Sequence, residues 1–169
     1  MASPPSFSAF ALRLLAYLFV ASLLFSLGGL HQRFGPVQNL MASAVNAGAN
    51  AMGTNASVSG SIIRLDRAAL EINHECTGIF VLLVYATFVV AYPASWRQRA
   101  SGVATGFVVL MTINIARLIV LTLIASRYPD WFSYFHEYFF QGLFIALLAF
   151  LASIWTEQVR RAAIRHISR

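Results

Sequence analysis

Glu75-Cys76-Thr77-Gly78-Ile79-Phe80 is the stretch that decides how the rest of this chain is interpreted. A polar, strand-like segment runs into it, a hydrophobic helix is predicted to start in it, and Cys76 is the single cysteine of the chain. A lone cysteine forms no internal disulfide. Its reactive thiolate is favoured at a helix N-terminus, where we place Cys76. The alternative is a buried cysteine that behaves as a small hydrophobic residue.

The composition around this stretch indicates an integral membrane protein. Hydrophobic residues make up 59% of the chain and charged residues only 11%, against roughly 25% charged residues in soluble domains. The net charge of +6 comes from arginine alone, because the chain has no lysine. Half of the arginines lie in two short segments beside predicted spans and are interpreted as topology signals. The absence of lysine excludes Ser-Lys chemistry.

Apolar segments on either side of Cys76 predict an α-helical membrane fold, a single domain over residues 1–169. The first helix is interpreted as an uncleaved signal-anchor, because the cleavage-like Ala42-Ser43-Ala44 lies too far beyond its apolar run. Pro93 ends the second helix. Short loops at 94–101 and 127–135 separate the later helices. The four predicted transmembrane helices cover about 9–30, 76–92, 102–126 and 136–156.

The insertion 31–75 is polar enough to lie outside the bilayer. Val58–Leu65 and Ala68–His74 are rich in β-branched and aliphatic residues with approximate alternation, and Asp66-Arg67 forms a turn between them, which predicts a β-hairpin leading to Cys76. Before it, apolar residues at helical spacing predict a short amphipathic helix, which lies on the membrane surface or packs against the rest of the protein. Those residues are Val37, Leu40, Met41, Ala44 and Val45.

Four spans place both termini on the side that carries the Arg97 and Arg99 loop. By the positive-inside rule this side is the cytoplasm, which makes 157–169 a cytoplasmic basic tail and the insertion extracytoplasmic. The predicted starts of the second and fourth helices, Cys76 and His136, then both face outward. Arg117 lies ~14 Å from the outer end of the third helix. Three reactive side chains are therefore expected near the outer face.

Arg117 and His136 each have an alternative role. An arginine in a membrane helix costs roughly 2.5–3.5 kcal/mol and indicates function by default, although Arg117 could instead hold lipid phosphate or helix-end carbonyls. Asn114, three residues earlier, lies on the same helical face. His136 could be an interfacial histidine within an aromatic belt.

Other catalytic patterns have less support. Two stretches, at His74 and at His136, begin like a zincin motif but lack its second histidine. A zinc site of Cys76, His74 and His136 is geometrically possible but disfavoured. A Gly-x-Ser-x-Gly motif is absent, and neither Asp66 nor Asp130 lies within a predicted span. We expect no metal and no cofactor.

The site residues resemble those of the exosortase/archaeosortase family. The resemblance lies in Glu75-Cys76-Thr77-Gly78 after a hairpin-like strand, in Asn114-Ile115-Ala116-Arg117, and in His136 opening the last hydrophobic segment. Many exosortases have more spans and the motif Ala-Cys-Ser-Gly-Leu-Arg, whereas this chain has Glu75, Thr77 and Phe80 in place of the alanine, serine and arginine. These differences favour archaeosortases or a short bacterial type such as exosortase H.

The resemblance implies a cysteine peptidase or transpeptidase in the cytoplasmic (inner) membrane, with its site facing outside. Its partners would be membrane lipid and secreted proteins whose C-terminal sorting signal combines a short motif, a transmembrane helix and a basic tail. No nucleic acid is expected. Cys76 would form a thioester acyl-enzyme, with His136 as general acid or base and Arg117 stabilising the oxyanion or the thiolate. Asn114, Glu75, Thr77 and Gly78 would support them.

Two alternatives from other functional classes stay open. The chain could be a non-enzymatic membrane assembly or scaffold subunit, in which Cys76 would resist thiol reagents. It could also be a thiol acyltransferase acting on lipid, which would label with acyl donors in the absence of a protein substrate. Neither alternative explains why three polar groups are predicted to share one face of the membrane.

Overall fold

The computed structural model describes residues 7–27, 34–66 and 68–167, and it is mostly helical. One small sheet precedes Cys76. The α-helices are α1 Phe7–Leu27, α2 Gly35–Ala51, α3 Ile79–Ala91, α4 Trp96–Arg127 and α5 Phe140–Ile167, and the strands are β1 Ser57–Ser59, β2 Ile62–Arg64 and β3 Ala69–Glu71.

Two helical segments are long and apolar enough to cross a membrane. They are Trp96–Arg127 and the continuous helical run Pro129–Ile164, while Ser8–Leu23 and Ile79–Ala91 form shorter apolar helices. The four predicted apolar segments therefore each contain a helix, and the number of helices that cross the membrane stays a prediction. Residues 28–30 of the first predicted span lie outside the described residues.

Helix α4 starts earlier than predicted. The prediction placed its start at Gly102, after a loop containing Arg97 and Arg99, but the helix begins at Trp96. Ser95 caps it: the Ser95 hydroxyl accepts a hydrogen bond from the Gln98 backbone N–H, and the Gln98 side chain accepts one from the Ser95 N–H at 2.9 Å. This capping box satisfies two backbone donors and extends the helix into polar sequence.

The second helix starts later than its predicted start at about Cys76. His74–Thr77 form one 3₁₀ turn, Gly78 follows with a φ of +73°, and α3 begins only at Ile79. A positive φ carries little strain for glycine and breaks the helical path. Cys76 consequently lies in a turn before the helix.

The last helical run also differs from the prediction at both ends. Pro129–Trp131 form a 3₁₀ turn, Phe132–Tyr134 an α-helical turn and Phe135–Phe139 a π-helical turn, so the predicted loop at 127–135 is largely helical. The helix then continues past Thr156 to Ile167. Near its C-terminus Glu157 pairs with the exposed Arg160 and Arg161.

The insertion packs against α4. Met41, Ala42, Val45 and Ala49 form the buried face of α2, and a Cβ on Gly48 would collide with Ile119 of α4. This favours the packing interpretation of α2 over a purely membrane-surface helix. The other predicted apolar positions, Val37, Leu40 and Ala44, are exposed.

The sheet is antiparallel with the strand order β1-β2-β3. The first predicted strand, Val58–Leu65, is in fact two strands, because the chain turns at Gly60, where φ is +62°. Ile63 of β2 pairs with Val58 of β1 and Leu70 of β3, and its side chain is fully buried. The sheet thus rests on the core that surrounds Cys76.

Two hydrophobic clusters divide the molecule into what we call the Cys76 end and the Trp155 end. At the Trp155 end, Gly102 and Gly106 of α4 let the rings of Trp155 and Tyr85 approach its backbone closely. At the Cys76 end, α2, the sheet and α4 surround the turn. The buried members of the cluster at the Trp155 end are Tyr85, Val89, Leu110, Trp155 and Val159. Those at the Cys76 end include Met41, Val45, Ile63, Cys76, Leu118 and Leu121.

Candidate active site

The turn that carries Cys76 is fixed by Asn73. The Cys76 backbone N–H donates to the Asn73 side-chain oxygen at 3.0 Å, an N-cap arrangement that satisfies a donor at the start of the turn. The Thr77 hydroxyl donates to the His74 carbonyl at 2.7 Å, and Thr77 is itself buried. The thiol is therefore held on a short, locally bonded turn.

Asn114 of α4 fixes the other side of the turn. Its amide nitrogen donates to the Cys76 carbonyl at 2.8 Å, and the residue is fully buried. The close approach depends on Gly78, because a Cβ there would lie 3.0 Å from Asn114 Cγ. The Asn114 side-chain oxygen has no hydrogen-bond partner among the described residues. Asn114 thus couples α4 to the cysteine turn.

Cys76, Arg117 and His136 line one cavity of about 480 Å³ between α3 and the last helical run. We call it the membrane-side cavity. Glu75 and Gln141 add polar groups to it. The three side chains predicted from sequence therefore come from three separate segments and converge on one space. The rest of the lining is apolar and consists of Phe80, Val81, Val84, Phe140, Phe144, Ile145 and Leu148.

Arg117 is held by aromatic rings. Its guanidinium carbon lies 5.8 Å from the Phe140 ring centroid and 5.4 Å from that of Phe144, within the range of cation–π interactions. Its buried Nε has no hydrogen-bond partner among the described residues. A buried donor without a partner calls for an explanation, and a bound anionic group in the cavity would provide one.

His136 lies in the π-helical turn Phe135–Phe139 and stacks on Phe132, with ring centroids 5.4 Å apart and planes 15° apart. Such turns are frequent at functional sites. The stacking orients the imidazole from one face and leaves its ring edge for hydrogen bonding. The aromatic neighbours expected of an interfacial histidine are present, but His136 also lines the cavity with Cys76.

A second cavity, of about 220 Å³, lies on the other side of the same two residues. We call it the sheet-side cavity. Cys76 and His136 line both cavities, and β3 forms one wall of the second. The thiol and the imidazole therefore lie where two cavities meet. The remaining wall comes from α4 and the start of the last helical run, through Leu118, Leu121, Thr122 and Phe132.

The electrostatics of the thiol differ from the prediction. Burial raises the pKa of Cys76 above its usual value, and the Glu75 carboxylate adds to this effect. A hydrogen bond from the Asn73 backbone and the positive charge of Arg117 lower the pKa, but they do not overcome burial. The helix N-terminus that was expected to favour the thiolate is separated from Cys76 by Gly78, and burial of the thiol acts in the opposite direction.

Sequence reasoning missed Asn73, Phe140 and Phe144. The role of Asn73 could have been predicted, since asparagine at the start of a helical turn is a common N-cap. The two phenylalanines carry no such signal, because in an aromatic-rich span nothing distinguishes rings that contact an arginine from rings that face lipid. Among the described residues, no group of three histidine, cysteine, aspartate or glutamate side chains could hold a metal ion.

The site is thus a cysteine, an arginine and a histidine gathered in one cavity of a strongly apolar helical chain. A family model described as transmembrane exosortase (Exosortase_EpsH) matches residues 2–156. The chain belongs to this family, and the resemblance inferred from Cys76, Arg117 and His136 is confirmed at that level. No curated protein and no solved structure matches the chain.

Proposed function

We propose that the protein is a membrane-embedded cysteine transpeptidase or protease that cleaves C-terminal sorting signals of secreted proteins. The observation that carries this proposal is the convergence of Cys76, Arg117 and His136 on the membrane-side cavity. Acyl transfer through cysteine uses a nucleophile, a proton carrier and an oxyanion stabiliser, and a cationic side chain such as that of Arg117 can serve as the third. Membership of the exosortase family supports the same activity.

In the proposed first step, His136 takes the proton of the Cys76 thiol and the sulfur attacks a substrate backbone carbonyl. The C–S bond forms, and the carbonyl oxygen becomes an oxyanion that Arg117 stabilises. The C–N bond then breaks, and His136 returns the proton to the leaving amine. The product is a thioester between Cys76 and the N-terminal part of the substrate.

In the second step, a nucleophile attacks the thioester carbonyl and releases the Cys76 thiol. Water as the nucleophile gives hydrolysis, and an amine or hydroxyl group gives transpeptidation or transfer. His136 again carries the proton, in the reverse direction.

The membrane-side cavity fits the proposed substrate class. Its apolar lining from α3 and α5 matches a hydrophobic segment, and its polar groups gather at one end around Cys76. A substrate anchored by a transmembrane helix would therefore present its cleavage site at the edge of the membrane. We place this site at the outer face of the cytoplasmic membrane, since the arginine-rich segments lie toward the opposite end of the chain's long helices.

The proposal is tested with a secreted reporter that carries such a C-terminal tail, coexpressed at matched membrane abundance with wild type, Cys76→Ala, Arg117→Ala or His136→Ala. All three variants are expected to lose processing. His74→Ala is the matched control, because His74 lies two residues from Cys76 but lines neither cavity, and it is expected to process normally. Normal processing by Cys76→Ala would overturn the thiol mechanism and favour a scaffold role.

A further inference from the structure

Strand β3 is an edge strand that forms a wall of the sheet-side cavity. It pairs with β2 on one side, and the described residues include no strand on its other side. Residues Ala69 to Asn73 all line the cavity, together with Cys76 and His136. A free strand edge therefore lies beside the thiol.

The register shows which backbone groups are unpaired. Ile72 N–H donates to the Ser61 carbonyl and Leu65 N–H to the Ala68 carbonyl, both at 2.8 Å. Because hydrogen-bonded and non-hydrogen-bonded pairs alternate in an antiparallel ladder, Ala69 and Glu71 direct their N–H and C=O groups away from β2. Both residues are exposed. Two residues thus offer backbone donors and acceptors to the cavity.

We propose that the substrate binds the sheet-side cavity as an extended strand added to the free edge of β3. This inference rests on the proposed function and specifies how the substrate reaches the thiol. An added strand would lie about 4.8 Å from β3 and make main-chain hydrogen bonds with Ala69 and Glu71. The chain would then pass Cys76 and His136, where the two cavities meet, with its scissile carbonyl next to the sulfur.

This arrangement divides recognition between the two cavities. Main-chain hydrogen bonds give affinity without regard to sequence, and side-chain pockets on alternate residues give specificity. Leu70 and Phe132 supply apolar surface in the sheet-side cavity, so alternate residues of the substrate motif would contact it. The hydrophobic segment of the substrate would occupy the membrane-side cavity.

The opposite edge of the sheet provides a matched control. By the same alternation, Val58 at the centre of β1 directs its N–H away from β2, on the side of the sheet that does not line the cavity. Proline is tolerated where a strand N–H is unpaired, because no ladder hydrogen bond is lost. Ala69→Pro and Val58→Pro therefore make the same chemical change at two free edges.

We expect Ala69→Pro to process the reporter at least tenfold more slowly than wild type and Val58→Pro to stay within twofold. Alkylation of Cys76 by a small thiol reagent should proceed at the wild-type rate in both variants, which shows that the site is intact. Processing by Ala69→Pro within twofold of wild type would overturn the added-strand proposal. Absence of processing by wild type would instead overturn the proposed function.

Cross-linking tests the proposal where either proline variant fails to fold. In the Cys76→Ala background, Ala69→Cys or Val58→Cys is paired with reporters that carry one cysteine at successive positions before the cleavage site. We expect disulfides from position 69 at every second reporter position and none from position 58. Cross-linking without this alternation, or equal cross-linking from both positions, would contradict strand pairing.

Discussion

Helix α4 carries two partly buried arginines whose surroundings differ. Arg99, near its start, donates from Nη2 to the Tyr92 carbonyl at 3.1 Å and so caps the end of α3. Arg117, ~27 Å further along, lies against two phenylalanine rings and lines the cavity that contains Cys76. Each has a buried Nε without a hydrogen-bond partner among the described residues, but Arg99 completes a backbone connection and Arg117 lies beside a nucleophile.

The same difference extends to the two ends of the molecule. At the Trp155 end, rings fill the space above Gly102 and Gly106, and the Trp155 N–H donates to the Gln98 carbonyl. At the Cys76 end, two cavities meet and buried polar atoms of Asn114 and Arg117 lack partners. A cavity of about 310 Å³ also borders Tyr85, Gly102 and Trp155, but Cys76, Arg117 and His136 do not line it, so substitutions at the two ends should have separable effects.

The largest expected difference separates the two arginines. Arg117→Gln should slow reporter processing about 10²–10³-fold, as loss of an oxyanion donor does, with little change in membrane abundance. Arg99→Gln should keep the processing rate per folded molecule and lose about 1 kcal/mol of stability through its missing hydrogen bond. Processing assays and thermal unfolding in detergent measure the two effects. Equal loss of processing in both variants would contradict the assignment of a catalytic role to Arg117 and a structural role to Arg99.

Two glycine substitutions separate an effect on the Cys76 turn from a general loss of stability. Gly78→Ala should slow processing about tenfold or more, since the new Cβ displaces Asn114 from the Cys76 carbonyl. Gly53 is the matched control, because its φ is also positive at +87° but it has open space around it. Gly53→Ala should therefore lose about 1–2 kcal/mol of stability without losing processing. An equally slow Gly53→Ala would indicate a general folding defect.

Cysteine reactivity should depend on pH in a direction set by Arg117. Burial raises the pKa of Cys76 and Arg117 opposes it, so alkylation in wild type should accelerate only at pH values above those for an exposed cysteine. Arg117→Gln removes the opposing charge and should move the profile to still higher pH. Rates of alkylation by an uncharged reagent across the titration measure the shift. A shift to lower pH would contradict the inferred electrostatics.

The smallest effect is expected at the Trp155 end. Trp155→Phe removes the 3.3 Å hydrogen bond to the Gln98 carbonyl while retaining an aromatic ring. We expect a loss of about 1 kcal/mol in stability and an unchanged processing rate per folded molecule. Thermal unfolding and the reporter assay together provide the check. Slower processing with unchanged stability would mean that this end also contributes to the reaction.

Much of the fold could be predicted because apolar runs are a strong signal. Each predicted span contains a helix, and the polar insertion contains α2 and the sheet. The boundaries were less predictable. Ser95 and Gln98 start α4 before its apolar run, and Gly78 delays α3 until after Cys76. Capping and backbone conformation at single residues decide where these helices begin. The hydrophobicity of the sequence does not indicate these boundaries.

The grouping of Cys76, Arg117 and His136 could be proposed from topology, since opposite helix directions place particular ends together. The environment of these three side chains could not be predicted from topology. The rings around Arg117 and the role of Asn73 depend on side-chain packing across segments that are distant in sequence. The sheet-side cavity depends on the register of β3, which three-residue strands do not specify by pattern.

The most direct test of the central claim is detection of the acyl-enzyme. Wild type incubated with the reporter should accumulate a covalent adduct between Cys76 and the N-terminal product, visible by mass spectrometry of the intact protein and released by hydroxylamine. Cys76→Ala should give neither adduct nor processing. Processing of the reporter by Cys76→Ala at the wild-type rate would contradict the account.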